Sequence, residues 1–138
     1  MPILKRSKRA LPDGPGVVGP ARLCRNAADL SSVRSGDVVV IDVADLGADT
    51  AQSLVERGVA AVLNVSSSSS GRYPNLGPQV LAAAGIPLVD RVGEVVWQTL
   101  RSGDVVRVDE GAVHLGETTV ATGVEMTESR VRDQLDAA

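Results

Sequence analysis

Apolar positions along this chain fall into runs and stripes that predict a strand-helix-strand unit. The segments VVVIDV at 38–43 and AAVLNV at 60–65 are apolar runs typical of strands buried on both faces of a sheet. Between them, Ala51, Leu54 and Val55 share one face of a predicted helix over 48–57, which Gly58 ends. This order predicts two parallel strands joined by a right-handed crossover.

The same unit is then repeated, and the last third of the chain changes character. A helix over 78–85 ends in glycine and leads to a strand over 86–90, so a third parallel strand is expected. Polar and glycine-containing turns then separate short β-rich segments, which predicts an antiparallel meander. The other predicted elements are an edge strand over 21–24, a helical turn over 26–30, a helix over 92–100 with Val92, Val96 and Leu100 one turn apart, and meander strands over 105–109, 112–115 and 118–121.

The predicted fold class is α/β, with one domain and two short tails. A chain of 138 residues is long enough for one compact core and too short for two ordinary domains. We expect a disordered basic tail over 1–15, a single domain over 16–123, and a charged helix over 124–138 that links to a second domain outside this sequence. In that helix Val131 and Leu135 form a sparse apolar stripe, which we expect to pack between domains.

Composition and charge narrow the function classes. The chain has no Phe, one Tyr and one Trp, so Val, Ala, Leu and Ile must fill the core. A net charge of −3, with no basic stripe outside the N-terminal tail, argues against nucleic-acid binding. Cys24 is the single cysteine, which excludes an internal disulfide and a cysteine-based metal site. With no signal peptide and no apolar run near membrane-spanning length, a cytoplasmic protein is expected.

The richest candidate chemistry lies in the loop over 66–78, SSSSSGRYPNLGP, between the predicted strand 60–65 and the following helix. Arg72 has the donors for bidentate binding of a phosphate or carboxylate, Asn75 or the Gly77 amide would complete an anion cradle, and Tyr73 would stack on a ligand or partner. The predicted ligand- or partner-binding residues are Ser69, Ser70, Gly71, Arg72, Tyr73, Asn75 and Gly77.

Simpler interpretations of the same residues stay open. The loop is equally compatible with a solvated connection, Arg72 with an ion pair to Asp42 or Asp90, and Tyr73 with a packing anchor. The strands that carry the two aspartates are expected to end on the same side of the sheet. His114, the only histidine, falls in the meander, and no spacing of carboxylates is diagnostic of a metal site. No metal, cofactor or catalytic residue is therefore predicted.

The order of turns and strands resembles the swivelling β/β/α domain that carries the phosphohistidine in phosphoenolpyruvate-utilising enzymes. The matching segments are GIPLV at 85–89 and GDVVRVD at 103–109, which correspond to a Gly-Ile-Pro strand and a Gly-Asp hairpin in that family. The family's catalytic histidine has no counterpart here, because serines, Arg72 and Tyr73 stand in the loop. The resemblance implies a swivelling β/β/α-type domain with a parallel β-α-β core and a C-terminal antiparallel meander, without the phosphoryl-carrying side chain.

A more specific resemblance is to the N-terminal region of SteA-type actinobacterial cytokinetic-ring proteins, whose second domain is similar to thiamine pyrophosphokinase. Its most specific segment is SGRYPNLGP at 70–78, supported by GDVVVID at 36–42 and AVLN at 61–64. The resemblance runs from about residue 16 to the end of the chain. It implies a cell-division role, a SteB-type membrane partner and recruitment to the septal membrane. The nucleotide-binding-like domain of that family falls outside this sequence.

Two hypotheses of different classes follow. The first is a non-catalytic binding and scaffolding domain of a septal cell-division protein, which uses loop 66–78 to contact its own downstream domain, a partner or a phosphate-bearing ligand. The second is a fragment of a phosphate-handling enzyme, either phosphoenolpyruvate-utilising or a nucleotide-dependent kinase. Neither hypothesis involves nucleic acid, and self-association is compatible with both.

Overall fold

A computed structural model of the chain describes residues 16–69 and 76–137. Over these ranges the fold is mixed α/β, with eight strands in one sheet, four α-helices and one 3-10 helix. In chain order the elements are β1 (Val17–Cys24), the 3-10 helix (Ala27–Ser32), β2 (Val38–Ile41), α1 (Ala48–Glu56), β3 (Ala61–Asn64), α2 (Gly77–Ala83), β4 (Leu88–Asp90), α3 (Val96–Thr99), β5 (Val105–Asp109), β6 (Ala112–Leu115), β7 (Thr118–Thr122), β8 (Val124–Glu125) and α4 (Glu128–Ala137).

The parallel part of the sheet consists of β1, β2, β3 and β4, side by side in chain order. The strands β2 and β3 are fully buried, as their uninterrupted apolar runs predict. The two predicted strand-helix-strand units are therefore confirmed. Because all four strands run the same way, their carboxyl ends meet at one edge of the sheet.

The antiparallel strands flank the parallel part of the sheet on both sides. The predicted meander is confirmed, since β5 pairs with β6 and β6 with β7, while β5 also pairs with β1. At the other end of the strand order, β8 pairs with β4. Because Gly123 alone separates β7 from β8, the first and last strands of the sheet meet there.

Two apolar clusters cover the two faces of this sheet. One cluster joins alternate residues of the parallel strands to the meander and to the segment around α3, with Val40, Leu63, Val96 and Val113 among its buried members. The other lies under the helices α1, α2 and α4 and includes Ile41, Leu54, Leu81 and Val131. Alternation along each parallel strand thus supplies both cores.

The position of β1 differs from the edge strand predicted over 21–24. The strand is twice as long, begins at Val17, and lies centrally between β2 and β5. A partly buried ion pair accompanies this position, since Arg22 Nε donates to the buried Asp37 Oδ2 at 3.0 Å. The prediction failed because the pairing with β5 is between segments about 90 residues apart, which no local pattern records.

The helix predicted over 92–100 is also shorter than expected. Only Val96–Thr99 is helical, because Arg91 and Gly93 have φ angles of 60° and 84°, outside the right-handed helical region. Val92, Val96 and Leu100 are all buried in one cluster all the same. Their spacing therefore indicated correctly that the three side chains share a core, although only part of the segment is helical.

The C-terminal segment is more than the expected linker helix over 124–138. Its first residues form β8, and α4 then begins at Glu128. Val131 is buried in the cluster beneath the helices, so this member of the predicted interdomain stripe packs within the domain. Residues 1–15, predicted as a tail, lie outside the described residues.

Candidate functional site

The candidate site lies at the edge where β2, β3 and β4 end. Loop 66–78 begins shortly after β3. The structure describes its first residues, 66–69, and its last residues, 76–78. Asp42 follows β2 and Asp90 ends β4, so the two aspartates flank the start of the loop, as the sequence predicted for strands ending on one side. Ligands of open parallel sheets commonly bind at this edge.

Asn64, the last residue of β3, connects two strand ends. Its side chain is 0% exposed. The amide Nδ2 donates to the Val43 carbonyl at 2.8 Å, and the Val43 N–H donates to Asn64 Oδ1 at 3.0 Å. The same Oδ1 accepts the N–H of Ser66 at 3.1 Å. One buried amide therefore holds the end of β2 and the beginning of the loop against β3.

Ser68 and Asp90 extend this network to β4. Both are buried, at 0% and 2% exposure. Ser68 Oγ donates to Asp90 Oδ1 at 2.6 Å, its N–H donates to Asp90 Oδ2 at 2.9 Å, and Asn64 Nδ2 donates to Ser68 Oγ at 2.7 Å. The loop is thus hydrogen-bonded to the ends of β3 and β4 through buried polar groups, and Asn64 connects it further to Val43 beyond β2, an arrangement that holds a backbone in one conformation.

Burial changes the acidity of Asp90. Desolvation raises the pKa of this carboxyl above its ordinary value, while the two hydrogen bonds from Ser68 and the nearby charge of Arg91 act in the opposite direction. Burial has the larger effect because it penalises the ionised form directly. Asp90 is therefore a buried carboxyl whose charge is stabilised chiefly by Ser68.

Two further serines organise the surface of the loop base. Ser66 Oγ donates to Asp42 Oδ1 at 2.5 Å, and Ser67 Oγ donates to the Ser69 carbonyl at 2.8 Å. Asp42 and Asp90, each considered as an ion-pair partner of Arg72, therefore both accept hydrogen bonds from loop serines. Arg72 itself lies outside the described residues.

The end of the loop is attached to the same point as its beginning. The Leu46 N–H donates to the Ser68 carbonyl at 2.8 Å, and the Gly77 N–H donates to the Leu46 carbonyl at 3.1 Å. A Cβ atom at position 77 would lie 2.2 Å from the Leu46 oxygen, so only glycine allows this approach. The Gly77 amide, expected to help cradle an anion, is instead part of the closure of the loop.

The predicted site residues divide between two groups. Ser69 and Gly77 lie within the described residues, at the start and end of the loop. The others lie outside them: Ser70, Gly71, Arg72, Tyr73 and Asn75. What the structure adds is the foundation of the loop, formed by Asn64, Ser68 and Asp90.

The hydrogen bonds among Asn64, Ser68 and Asp90 were not predicted from the sequence. A polar residue inside the apolar run AAVLNV marks Asn64 as a candidate for a buried hydrogen-bonding role. The five consecutive serines carry no comparable signal, because nothing local distinguishes Ser68 from its neighbours. Its burial follows from the position of Asp90 on a strand 22 residues away.

Two cavities open near this edge. One, of about 240 Å³, lies between the end of β4, β8 and α4. The other, of about 270 Å³, lies beyond the ends of β1 and β2 and is lined in part by Cys24, Arg25, Asp42 and Thr50. Both cavities combine an apolar lining with a few charged side chains, which is typical of sites for small molecules.

The thiol singled out by composition is buried, and the imidazole lies on a strand of the meander. Burial raises the pKa of the Cys24 thiol to about 11, with the nearby Asp29 charge adding to the effect, so the thiol is protonated at neutral pH. His114 lies on β6, where Nδ1 and Thr119 Oγ1 are 2.9 Å apart. Among the described residues, no group of three or more His, Cys, Asp or Glu side chains is arranged to hold a metal ion.

Over residues 16–69 and 76–137, none of the helices combines the length and apolar character needed to cross a bilayer.

Comparison with known proteins gives no independent assignment. No protein-family model matches the chain, and a search of curated proteins found no match.

Proposed function

We propose that this chain is a non-catalytic binding and scaffolding domain of a septal cell-division protein, and that loop 66–78 makes its contact. The observation that carries the proposal is the buried network of Asn64, Ser68 and Asp90, which attaches the loop to the ends of β3 and β4 and, through Asn64, to Val43 beyond β2. A base held in this way reduces the conformational entropy that a contact surface loses on binding. These side chains direct their hydrogen bonds into the protein, as a supporting role requires.

The order of elements supports a swivelling β/β/α-type domain. A parallel core followed by an antiparallel meander is the arrangement that the resemblance to phosphoenolpyruvate-utilising enzymes implies. In such a domain the carboxyl edge of the parallel strands is the working surface. The described start of loop 66–78 lies at that edge, where we expect the loop to meet a SteB-type membrane partner, a downstream domain of the same protein or a phosphate-bearing ligand.

The position of His114 does not favour the alternative of a phosphate-handling enzyme. In the family that this chain resembles, the phosphohistidine stands in the polar loop that follows a strand. His114 instead lies on β6, which three strands of the sheet, β5, β1 and β2, separate from β3. Incubation with phosphoenolpyruvate should therefore leave the mass of the chain unchanged, and a gain of one phosphoryl group would favour the enzyme.

The test of the scaffolding function is a pair of variants in an actinobacterial host. We expect Arg72→Ala combined with Tyr73→Ala to remove septal enrichment of a fluorescent fusion and to weaken binding to the cytoplasmic segment of a SteB-type partner. Arg34→Ala is the matched control, because Arg34 is exposed at the turn before β2, at the opposite edge of the sheet. Unchanged localisation and binding in the double variant would contradict the proposed contact.

A further inference from the structure

The cavity between β4, β8 and α4 has the features of a small-molecule site. Its volume is about 240 Å³, enough for a compact ligand. Two arginines, Arg91 and Arg130, belong to its lining, together with the apolar side chains of Val124 and Met126. We propose that this cavity binds a phosphate monoester, with its phosphate held by the two guanidinium groups and its organic part against the apolar lining. This inference goes beyond the proposed function, because both arginines lie outside loop 66–78.

The backbone at Arg91 is held in an unusual conformation next to the cavity. Its φ angle is 60°, in the left-handed region that residues with a Cβ atom rarely adopt. The Arg91 N–H donates to the Ser66 carbonyl at 3.1 Å, so the loop base helps to fix this turn. The conformation ends β4 and leaves the Arg91 side chain exposed at the cavity. Non-glycine residues in this region often occur at binding sites.

Arg130 approaches the same cavity from α4. Its Nη1 donates to the Glu125 carbonyl at 2.7 Å, which anchors the side chain to the segment after β8. A guanidinium has five N–H donors, and this bond uses one. Among side chains that the structure describes, neither Arg91 nor Arg130 forms an ion pair with a carboxylate. The charge of Arg91 also acts on Asp90, but without a direct ion pair both guanidinium groups keep N–H donors for a dianion, for which they are a suitable match.

Two carboxylates also belong to the lining, and they affect the site differently. Asp90 is almost fully buried, and its two oxygens accept hydrogen bonds from Ser68, so the loop base already engages this charge. Asp133 is exposed, three residues after Arg130 on α4. It offsets part of the positive charge, so its removal should strengthen anion binding. The proposal therefore predicts weaker anion binding when an arginine is replaced and stronger anion binding when Asp133 is replaced.

The apolar lining determines which kind of phosphate fits. Val124 is 39% exposed although it is a large aliphatic side chain, and Met126 is buried beside it. An organic group on the phosphate would cover this surface, whereas inorganic phosphate would leave it in water. The site should therefore prefer a phosphate monoester with a compact apolar part.

The test is a titration of the chain with phenyl phosphate, in which calorimetry and backbone amide NMR measure the binding. We expect saturable shifts at Ser67, Arg91 and Val124. Inorganic phosphate should bind more weakly because it lacks the apolar part, and benzoate more weakly because it carries one charge. No saturable shift at these three amides with phenyl phosphate would overturn the proposal, and tighter binding of benzoate would overturn its phosphate specificity.

Variants assign the binding to the two arginines. Arg91→Asn removes the guanidinium and introduces a residue type that adopts a positive φ readily, and we expect about a tenfold loss of affinity. Arg130→Gln should cause a similar loss, and Arg130→Lys should recover part of it because the positive charge returns. Asp133→Asn should raise the affinity about two- to threefold, and Arg34→Gln at the opposite edge should leave it unchanged. Equal affinities across all these variants would overturn the proposal.

A further variant separates this site from the proposed contact loop. Arg72→Ala combined with Tyr73→Ala should leave phenyl phosphate binding unchanged if the cavity is the site. Loss of phosphate binding in that double variant, with full binding retained in Arg91→Asn, would assign the anion to loop 66–78 and overturn the cavity proposal. Septal localisation tests the loop contact separately, so the two proposals can fail independently.

Discussion

The hydroxyl of Ser68 joins the ends of two strands at one buried point. It donates to Asp90 at the end of β4 and accepts from Asn64 at the end of β3, whose amide also bonds Val43 beyond β2. Buried polar groups are costly when one partner is removed, because the remaining group stays desolvated without a hydrogen bond. The loop base should therefore be sensitive to the loss of a single oxygen atom.

Ser68→Ala tests this dependence. Removing Oγ leaves Asp90 Oδ1 and one Asn64 N–H without this partner, so we expect the free energy of unfolding to fall by about 1–3 kcal/mol. Urea denaturation followed by circular dichroism measures the change. Ser31→Ala is the control, because that hydroxyl is exposed and its loss should cost less than about 0.5 kcal/mol. Equal effects of the two substitutions would contradict the structural role of Ser68.

Asp90→Asn tests the electrostatics of the same site. Since burial raises the pKa of Asp90 in the folded protein, the folded state keeps the proton to higher pH than the unfolded chain does. Wild-type stability should therefore decline relative to the variant as pH rises from the ordinary aspartate value of 3.8 through the raised folded pKa. Urea denaturation at a series of pH values gives this difference, and an increase over the window would show that the pKa is lowered instead.

At the scale of elements, loop 66–78 is closed at its base by the backbone of Leu46. The residue bonds Ser68 at the beginning of the loop and Gly77 at its end, so both ends meet a single point between β2 and α1. The sequence predicted the connection and its flanking strand and helix. It did not predict the role of Leu46, because that contact depends on how three elements pack.

Gly77→Ala should disturb this closure. The added Cβ atom would lie 2.2 Å from the Leu46 oxygen and 2.7 Å from the Leu46 Cγ, so the helix start must move. We expect a loss of about 1–3 kcal/mol in unfolding free energy and faster hydrogen exchange at the Leu46 amide. Gly47→Ala is the matched control, because no heavy atom lies within 4 Å of its added Cβ atom. Unchanged exchange at Leu46 would contradict the proposed attachment.

For the whole molecule, the decisive feature is the return of the chain from β7 to β8. Those two strands are at opposite ends of the strand order, yet one residue separates them. The Gly123 N–H donates to the Gly111 carbonyl at 2.8 Å, which attaches this corner to the turn between β5 and β6. The antiparallel meander is thereby joined to the edge of the parallel strands next to the candidate site.

Gly123→Ala tests the junction. Its Cβ atom would lie 2.2 Å from the Asp90 backbone oxygen and 2.9 Å from a Val89 methyl group, so β8 could not pair with β4 without displacement. A loss of about 1–3 kcal/mol in thermal or urea unfolding is expected. The amide signals of Asp90 and Arg91 should shift more than those in α1, which lies away from the junction. Shifts confined to the β7 strand itself would argue against close packing on β4.

The pattern of this sequence by itself determined the elements that depend on near neighbours. Uninterrupted apolar runs indicated β2 and β3, helical spacing indicated α1, and turn residues indicated the meander, because burial on a strand or helix repeats over a few positions. Only the tertiary structure decided that β1 is central, that Ser68 is the buried serine, and that Gly123 joins the two ends of the sheet. Each of these features depends on contacts between segments far apart in the chain, and such contacts produce no periodic pattern in the local sequence.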